Sequence, residues 1–296
     1  KAIILGARVP PELEEALAAA YEELCRRLGE RPFLAVRSSA VGEDLAFTFA
    51  GQYVSFLNVP PGDLAARYKD ILASLFTPRA LFYYKDKGFN EEELAMGVVV
   101  MPLIRARASG VLFTRQPEAP ERDAILVNAV WGLGKYAVGG KVQPDHYLAA
   151  YEPPGEILEQ VIPPKPVRLG WRPEGGEMQE PVPPEEATAP CLTREHLAQL
   201  ADWARRLEEY FRKPQDVEWA LGEDGRLWLL QTRPLRVQTR RAPSARPRLK
   251  QEYPVLLDSG KVACRGVGAG PVVLVKTDED LKNFPPGGVL VSRFTS

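Results

Sequence analysis

Two strand-like segments joined by a polar turn constrain this chain more than any other feature. They are Asp216-Val217-Glu218-Trp219-Ala220 and Leu229-Leu230-Gln231-Thr232-Arg233-Pro234, with Gly222-Glu223-Asp224-Gly225 between them. Strand side chains alternate between faces, so Asp216 and Glu218 point one way together, as do Gln231 and Arg233. A hairpin folded symmetrically about Glu223 and Asp224 sets Asp216 opposite Gln231. The polar side chains then share one face, and Val217, Trp219, Leu221, Trp228 and Leu230 form the apolar reverse. Two carboxylates, an amide and a guanidinium on such a face suit a magnesium–nucleotide site: the carboxylates hold the metal and the arginine neutralises phosphate. A solvated face with an Asp–Arg pair is the plainer reading of the same residues.

The 296 residues are 45% hydrophobic and 26% charged, an ordinary globular balance that fills one large or two medium domains. A formal net charge of -1 gives no global pull toward nucleic acid or an anionic membrane. No apolar run has the length of a membrane helix. Lys1 rather than methionine stands first, so the native N-terminus is expected upstream. The three cysteines, Cys25, Cys191 and Cys264, lie far apart without metal spacing, a usage that fits a reducing cytoplasm. Arginine outnumbers lysine about two to one, and prolines number 28. That balance leans toward a thermophile, and genomic base composition explains it equally well.

Periodicity marks a helix over residues 11–28, with proline at its start and Gly29 at its end. Residues 33–37 read as a buried strand running into Ser38-Ser39, 39–51 as a loop, and Tyr53 to Val59 as a second strand. Residues 62–86 read as a helix pair broken near Thr77-Pro78. Gly97 to Pro102, Ser109 to Thr114 and Ala124 to Ala129 read as strands. The proline- and glycine-rich stretch 151–190 reads as an irregular excursion with short edge strands. Residues 193–212 form an amphipathic helix with Thr193 as N-cap and Glu195-His196 in its first turn. Residues 238–251 are basic and proline-containing, a linker by composition. Strands resume at Pro271–Lys276 and Gly288–Val291.

Some motifs fail on context. Gly132-Leu133-Gly134-Lys135 lacks P-loop spacing and a following Ser or Thr. Gly266-Val267-Gly268-Ala269-Gly270 precedes a strand, so no helix N-terminus follows to receive a pyrophosphate. Both read as glycine turns. The two histidines form no metal pair: His196 reads as a surface residue of its helix, and His146 as structural or lining a site.

An ordered set of segments carries more weight. Ala35-Val36-Arg37-Ser38-Ser39-Ala40, Glu43-Asp44, Phe49-Ala50-Gly51-Gln52, Phe56-Leu57-Asn58-Val59, Ser74-Leu75-Phe76, Ser109 to Thr114, Trp131-Gly132-Leu133-Gly134, Pro144-Asp145, Asp-Val-Glu-Trp and Gln-Thr-Arg-Pro follow one another in this order. Together they resemble the N-terminal ATP-grasp domain of the phosphoenolpyruvate synthase and pyruvate phosphate dikinase family across residues 11–237. Residues 252–296 resemble the start of that family's swivelling phosphohistidine domain. The resemblance implies an α+β chain in three parts: an N-terminally incomplete ATP-grasp domain at 1–237, a linker at 238–251 and an incomplete β/α swivelling domain at 252–296.

By the same resemblance Arg37 and Arg233 contact nucleotide phosphates, and Ser55 offers a hydroxyl near them. Val100, Met101 and Leu103 match the hinge whose backbone meets adenine, and core strand is the alternative. Glu218, Asp216 and Gln231 match metal ligands, and Lys165 matches a basic residue near the nucleotide. The implied cofactors are ATP and Mg2+. The implied chemistry turns ATP, pyruvate and water into phosphoenolpyruvate, AMP and phosphate through a histidine on the swivelling domain. That histidine is expected beyond Ser296, the family's phosphate-binding lysine before Lys1, and pyruvate on a further domain through which homo-oligomers could form. Relatives with other acceptors (rifampin phosphotransferase, phenylphosphate synthase, pyruvate phosphate dikinase) and a non-catalytic nucleotide-binding module remain alternatives. Lys135-Tyr136 departs from the usual synthase form.

Overall fold

The computed structural model describes residues 1–40, 54–86, 95–138, 141–235, 268–275 and 277–292. The loop expected at 39–51 falls outside these beyond Ala40, as do the Glu43-Asp44 and Phe49–Gln52 motifs, the linker 238–251, and residues 252–267. The chain divides into two compact units, Lys1–Val237 and Gln238–Ser296. Helices accompany several sheets, the α+β class expected.

The larger unit opens with α1 (Ala2–Gly6), α2 (Pro11–Leu28), β1 (Leu34–Ala40), β2 (Phe56–Val59), α3 (Leu64–Ser74), α4 (Pro78–Asp86) and β3 (Met96–Pro102). Pro11 starts α2, and Gly29 ends it in the left-handed conformation at φ 74°, its N–H bonded to Cys25 O. The strands form an antiparallel sheet in the order β2-β1-β3. One face of that sheet, Leu34 and Val36 with Met96, Val98 and Val100, is buried with Tyr21 and Cys25 of α2 and Leu64 and Ile71 of α3. Alternation sends Arg37, Val99 and Met101 to the opposite face.

The unit continues with β4 (Ala106–Phe113), β5 (Ala124–Trp131), α5 (Lys135–Val138), β6 (Asp145–Ala150), β7 (Ile157–Val161), β8 (Val167–Trp171), β9 (Glu177–Pro181), α6 (Pro184–Ala187), α7 (Arg194–Phe211), β10 (Gln215–Gly222) and β11 (Leu227–Pro234). Six strands make one sheet, ordered β11-β10-β4-β5-β6-β7, and β8 pairs with β9. Leu197, Leu200, Ala201 and Ala204 of α7 are buried with Val217, Trp219 and Leu221 of β10 and with Ala108, Leu112, Ile125, Val127 and Tyr147. Each leucine fully buried this way is worth about 1.5–3 kcal/mol against exposure. Thr193 caps α7 as expected, and His196, expected at the surface, completes the cap: its Nδ1 accepts from Thr193 N–H.

Residues 151–190, expected to be an irregular excursion with short edge strands, carry the short strands β7, β8 and β9, with β7 at the edge of the six-stranded sheet, and the short helix α6. Their order comes from pairing at a distance, such as the bridge between Gly132 and Leu169, that local periodicity does not carry. A Cβ at Gly132 would stand 2.3 Å from Leu169 O, and its φ is 74°, so this close approach needs glycine.

The smaller unit contains β12 (Val272–Val275), α8 (Asp278–Lys282) and β13 (Val289–Ser292), a parallel pair joined across a short helix. Among the described residues no helix is long and apolar enough to cross a membrane.

Candidate functional site

The hairpin β10–β11 brings the polar residues together, in a register different from the symmetric one. Asp216 pairs with Arg233 and Glu218 with Gln231, and the register shifts between Glu218 and Trp219, leaving Leu230 as the extra residue of a bulge. Gly222 N–H bonds Arg226 O, which moves the turn one residue along from the symmetric centre. The turn and the bulge each displace β11 by one residue. Two single shifts restore the parity near Gln231, so the four polar side chains still share a face. Between turn and bulge only one shift acts, and there the expectation fails. Trp228 pairs with Ala220, on the face opposite Trp219 and Leu221, and Leu227 takes the core position. Leu230 lines the polar side instead of the apolar reverse.

Each arginine of this face has a carboxylate. Arg233 donates through Nε and Nη2 to Asp216 Oδ2 at 2.8 and 2.6 Å. Arg37 reaches across from β1 and donates to Glu218 Oε2 at 2.7 Å and to Gln231 Oε1. Asp216 is the more enclosed carboxylate, its side chain 13% exposed against 37% for Glu218. Burial raises the Asp216 pKa above its ordinary value; Arg233 pulls it down and Glu218 adds to the rise. Buried Gln215 fixes the strand end that carries Asp216. Its side chain donates to Lys213 O and Pro214 O and accepts from Thr232 Oγ1, and its N–H bonds Thr114 Oγ1.

A cavity of about 140 Å³ lies between the two sheets here, lined by Arg37, Ser38, Ser39, Val99, Met101, Leu230 and Gln231. Ser38, Ser39, Val99 and Leu230 were not among the expected site residues. Period-two alternation from Arg37 and Met101 marks Ser39 and Val99; only the bulge reveals Leu230. A larger cavity, about 380 Å³, lies elsewhere, lined by Arg107, Arg168, Trp171, Glu180 and their neighbours. Arg168 there is already tied to Glu180 at 2.9 Å.

The hinge candidates differ in what their backbones offer. Leu103 N–H is spent on Phe33 O at 2.8 Å. The β1–β3 register, Leu34 to Pro102 and Ala35 to Met101, then turns Met101's amide and carbonyl toward β1 and Val100's toward the outer edge. Val100's side chain meanwhile packs into the core of the three-stranded sheet. Ser55 stands just before Phe56, the partner of Val36, and so beside Arg37's strand.

Lys165 is a correction. Its side chain has no exposed surface and its ammonium bonds Asp145 Oδ1 and, at 3.2 Å, Pro163 O. Asp145 also accepts from Tyr147 Oη at 3.0 Å and Cys191 N–H at 2.7 Å. Burial and the Asp145 charge raise the pKa of both Tyr147 and Cys191. Lys165 neutralises a buried aspartate and does not reach the polar cluster. His146 lies within β6, its Nδ1 2.9 Å from Asn128 Oδ1.

A second tie holds the three-stranded sheet, this time to the β8–β9 hairpin. Asn58 of β2 is buried in the left-handed conformation at φ 56°; its Nδ2 donates to Arg172 O at 2.7 Å and Gly176 O at 2.8 Å, and its own carbonyl accepts from Gly176 N–H. The tip of the β8–β9 hairpin is thereby pinned to the three-stranded sheet.

Among the described residues no three or more His, Cys, Asp or Glu converge as a metal site. Two carboxylates and an amide oxygen on one face are nonetheless a hard donor set that fits Mg2+, which commonly takes one or two carboxylates and completes its shell with phosphates and water.

Residues 1–253 match the family model described as pyruvate phosphate dikinase, AMP/ATP-binding domain. The chain belongs to that family. Among its relatives, the phosphoenolpyruvate synthase of Pyrococcus furiosus is 34% identical across 100% of this chain, and that of Escherichia coli 33% across 99%. The phosphoenolpyruvate synthase of Aeropyrum pernix is 35% identical across 97%. The chain spans 37–39% of the length of these relatives. Within this AMP/ATP-binding family member, Lys135 and Tyr136, which departed from the usual form, serve packing: Lys135 pairs with Glu177, and Tyr136 Oη donates to Gln179 Oε1 at 2.9 Å.

Proposed function

We propose that residues 1–237 are the ATP-grasp nucleotide-binding portion of a phosphoenolpyruvate synthase-like dikinase, and that residues 252–296 begin its swivelling domain. The observation that carries this reading is the convergence of Arg37 with Glu218 and Gln231, from segments more than 180 residues apart, beside the Asp216–Arg233 pair. Arg37 and Arg233 bind the polyphosphate and disperse the charge that builds on the transferred phosphoryl group. Glu218, Asp216 and Gln231 would hold Mg2+, which when bound would supply charge neutralisation for the phosphate oxygens. Val100 N–H and C=O meet the adenine edge, Met101 and Leu230 give it apolar walls, and the Ser55 hydroxyl lies toward the phosphates. A phosphoryl group passes from ATP to a carrier histidine, with AMP and phosphate released, and from the histidine to pyruvate.

The test is label exchange between ATP and AMP plus phosphate in the full-length protein. Glu218→Ala is expected to slow it about 100-fold, as removal of a group that stabilises developing charge does. Exchange at the unaltered rate would show the assignment to be wrong.

A further inference from the structure

Both arginines of the cluster already have anions. Arg37 is bonded to Glu218 and Arg233 to Asp216, at 2.7 and 2.6 Å. The two cations and two carboxylates cancel, and Arg37 belongs to one sheet while Glu218 and Gln231 belong to the other. The cavity between those sheets, about 140 Å³, is well below the roughly 300–1,000 Å³ of small-molecule pockets. A polyphosphate bound by both arginines therefore takes them from their carboxylates and breaks the bond by which Arg37 bridges the layers.

We infer that Glu218 and Asp216 determine specificity by occupying the arginines as internal anions, so that the site admits polyphosphate complexed with a divalent cation and rejects the metal-free form. This rests on the proposed function of the same cluster. A bare polyphosphate that captures Arg37 and Arg233 leaves two carboxylates unpaired beside its own negative oxygens, an arrangement that costs strongly where solvent is partly excluded. A polyphosphate that brings a divalent cation supplies the carboxylates with a new partner in the same event. The two positive charges of the ion then balance the two carboxylates, as the arginines do before the exchange. Asn58, whose bonds involve no group of the cluster, keeps the three-stranded sheet attached to the β8–β9 hairpin while the Arg37 bridge opens.

The experiment is calorimetric titration of the full chain with inorganic tripolyphosphate, once with EDTA and once with excess Mg2+. Glu218→Gln keeps the side chain's shape and removes its charge. The variant is expected to bind metal-free tripolyphosphate about two- to fivefold tighter than the unaltered chain, the scale on which a part-exposed ion pair competes, and the magnesium complex more weakly. If the variant loses affinity for the magnesium complex without gaining any for the metal-free form, the internal-anion role is overturned and the site assignment stands. If neither Glu218→Gln nor Arg37→Ala alters binding of either form, the site assignment itself falls. Asp216→Asn, which frees Arg233, repeats the comparison should Glu218→Gln lower the melting temperature.

Discussion

Asp216 is held in an unfavourable state for the sake of its place in the cluster. Burial, helped by the Glu218 charge, raises its pKa above the ordinary value despite Arg233. A carboxyl whose folded pKa lies above its unfolded value favours the folded state most when protonated, and that contribution is lost as pH rises through the folded pKa. Asp216→Asn removes this penalty. The variant is expected to match or exceed the unaltered chain in denaturant stability at pH 7, with its advantage shrinking as pH falls toward the ordinary carboxylate range near about pH 4. Urea titrations at both pH values check this. Lys165 behaves in the opposite sense. Lys165→Met would leave Asp145 charged and buried, and should cost about 3–5 kcal/mol of unfolding free energy, with no specific loss of nucleotide affinity in the folded fraction. Arg37, Asp216, Glu218, Gln231 and Arg233 were legible in the sequence because alternation and motif order marked each one. Lys165 was misread because its partner, Asp145, lies 20 residues back, in β6, and nothing in the proline-rich stretch around it signals that pairing.

At the scale of elements, local signals wrote α2 and α7 almost to the residue: proline and glycine bound α2, and Thr193 with its capping box starts α7. The break between α3 and α4 falls at Thr77-Pro78 as expected. What stayed hidden was pairing between distant strands, including β6 to β9 and the bulge at Leu230, since a bulge changes register without changing composition. The hairpin face survived that error because two single-residue displacements cancel. The Asn58 clasp gives a sharper test of how elements are held. Asn58→Ala deprives two carbonyls of their donor and places a Cβ-bearing residue without a compensating bond at φ 56°. It should cost about 2–3 kcal/mol, and Asn58→Gly about 1 kcal/mol less because glycine adopts that conformation freely. Equal losses in chemical denaturation would show that the backbone conformation contributes nothing.

At the scale of the molecule, the polar cluster, both sheets and the Asn58 clasp all lie within Lys1–Val237. A chain ending at Val237 should therefore melt cooperatively and bind a magnesium–nucleotide complex within about threefold of the full chain, a difference under 1 kcal/mol. Calorimetry on the two proteins measures it. The central claim is that the face shared by Arg37, Asp216, Glu218, Gln231 and Arg233 holds the phosphates of ATP. The most direct measurement is the dissociation constant of a nonhydrolysable ATP analogue with Mg2+ for the full chain and for Arg37→Ala. Loss of the arginine is expected to weaken binding at least about tenfold, the scale of a charge-assisted bond to phosphate. An Arg37→Ala chain that stays folded and binds the analogue as tightly as the original would contradict the account.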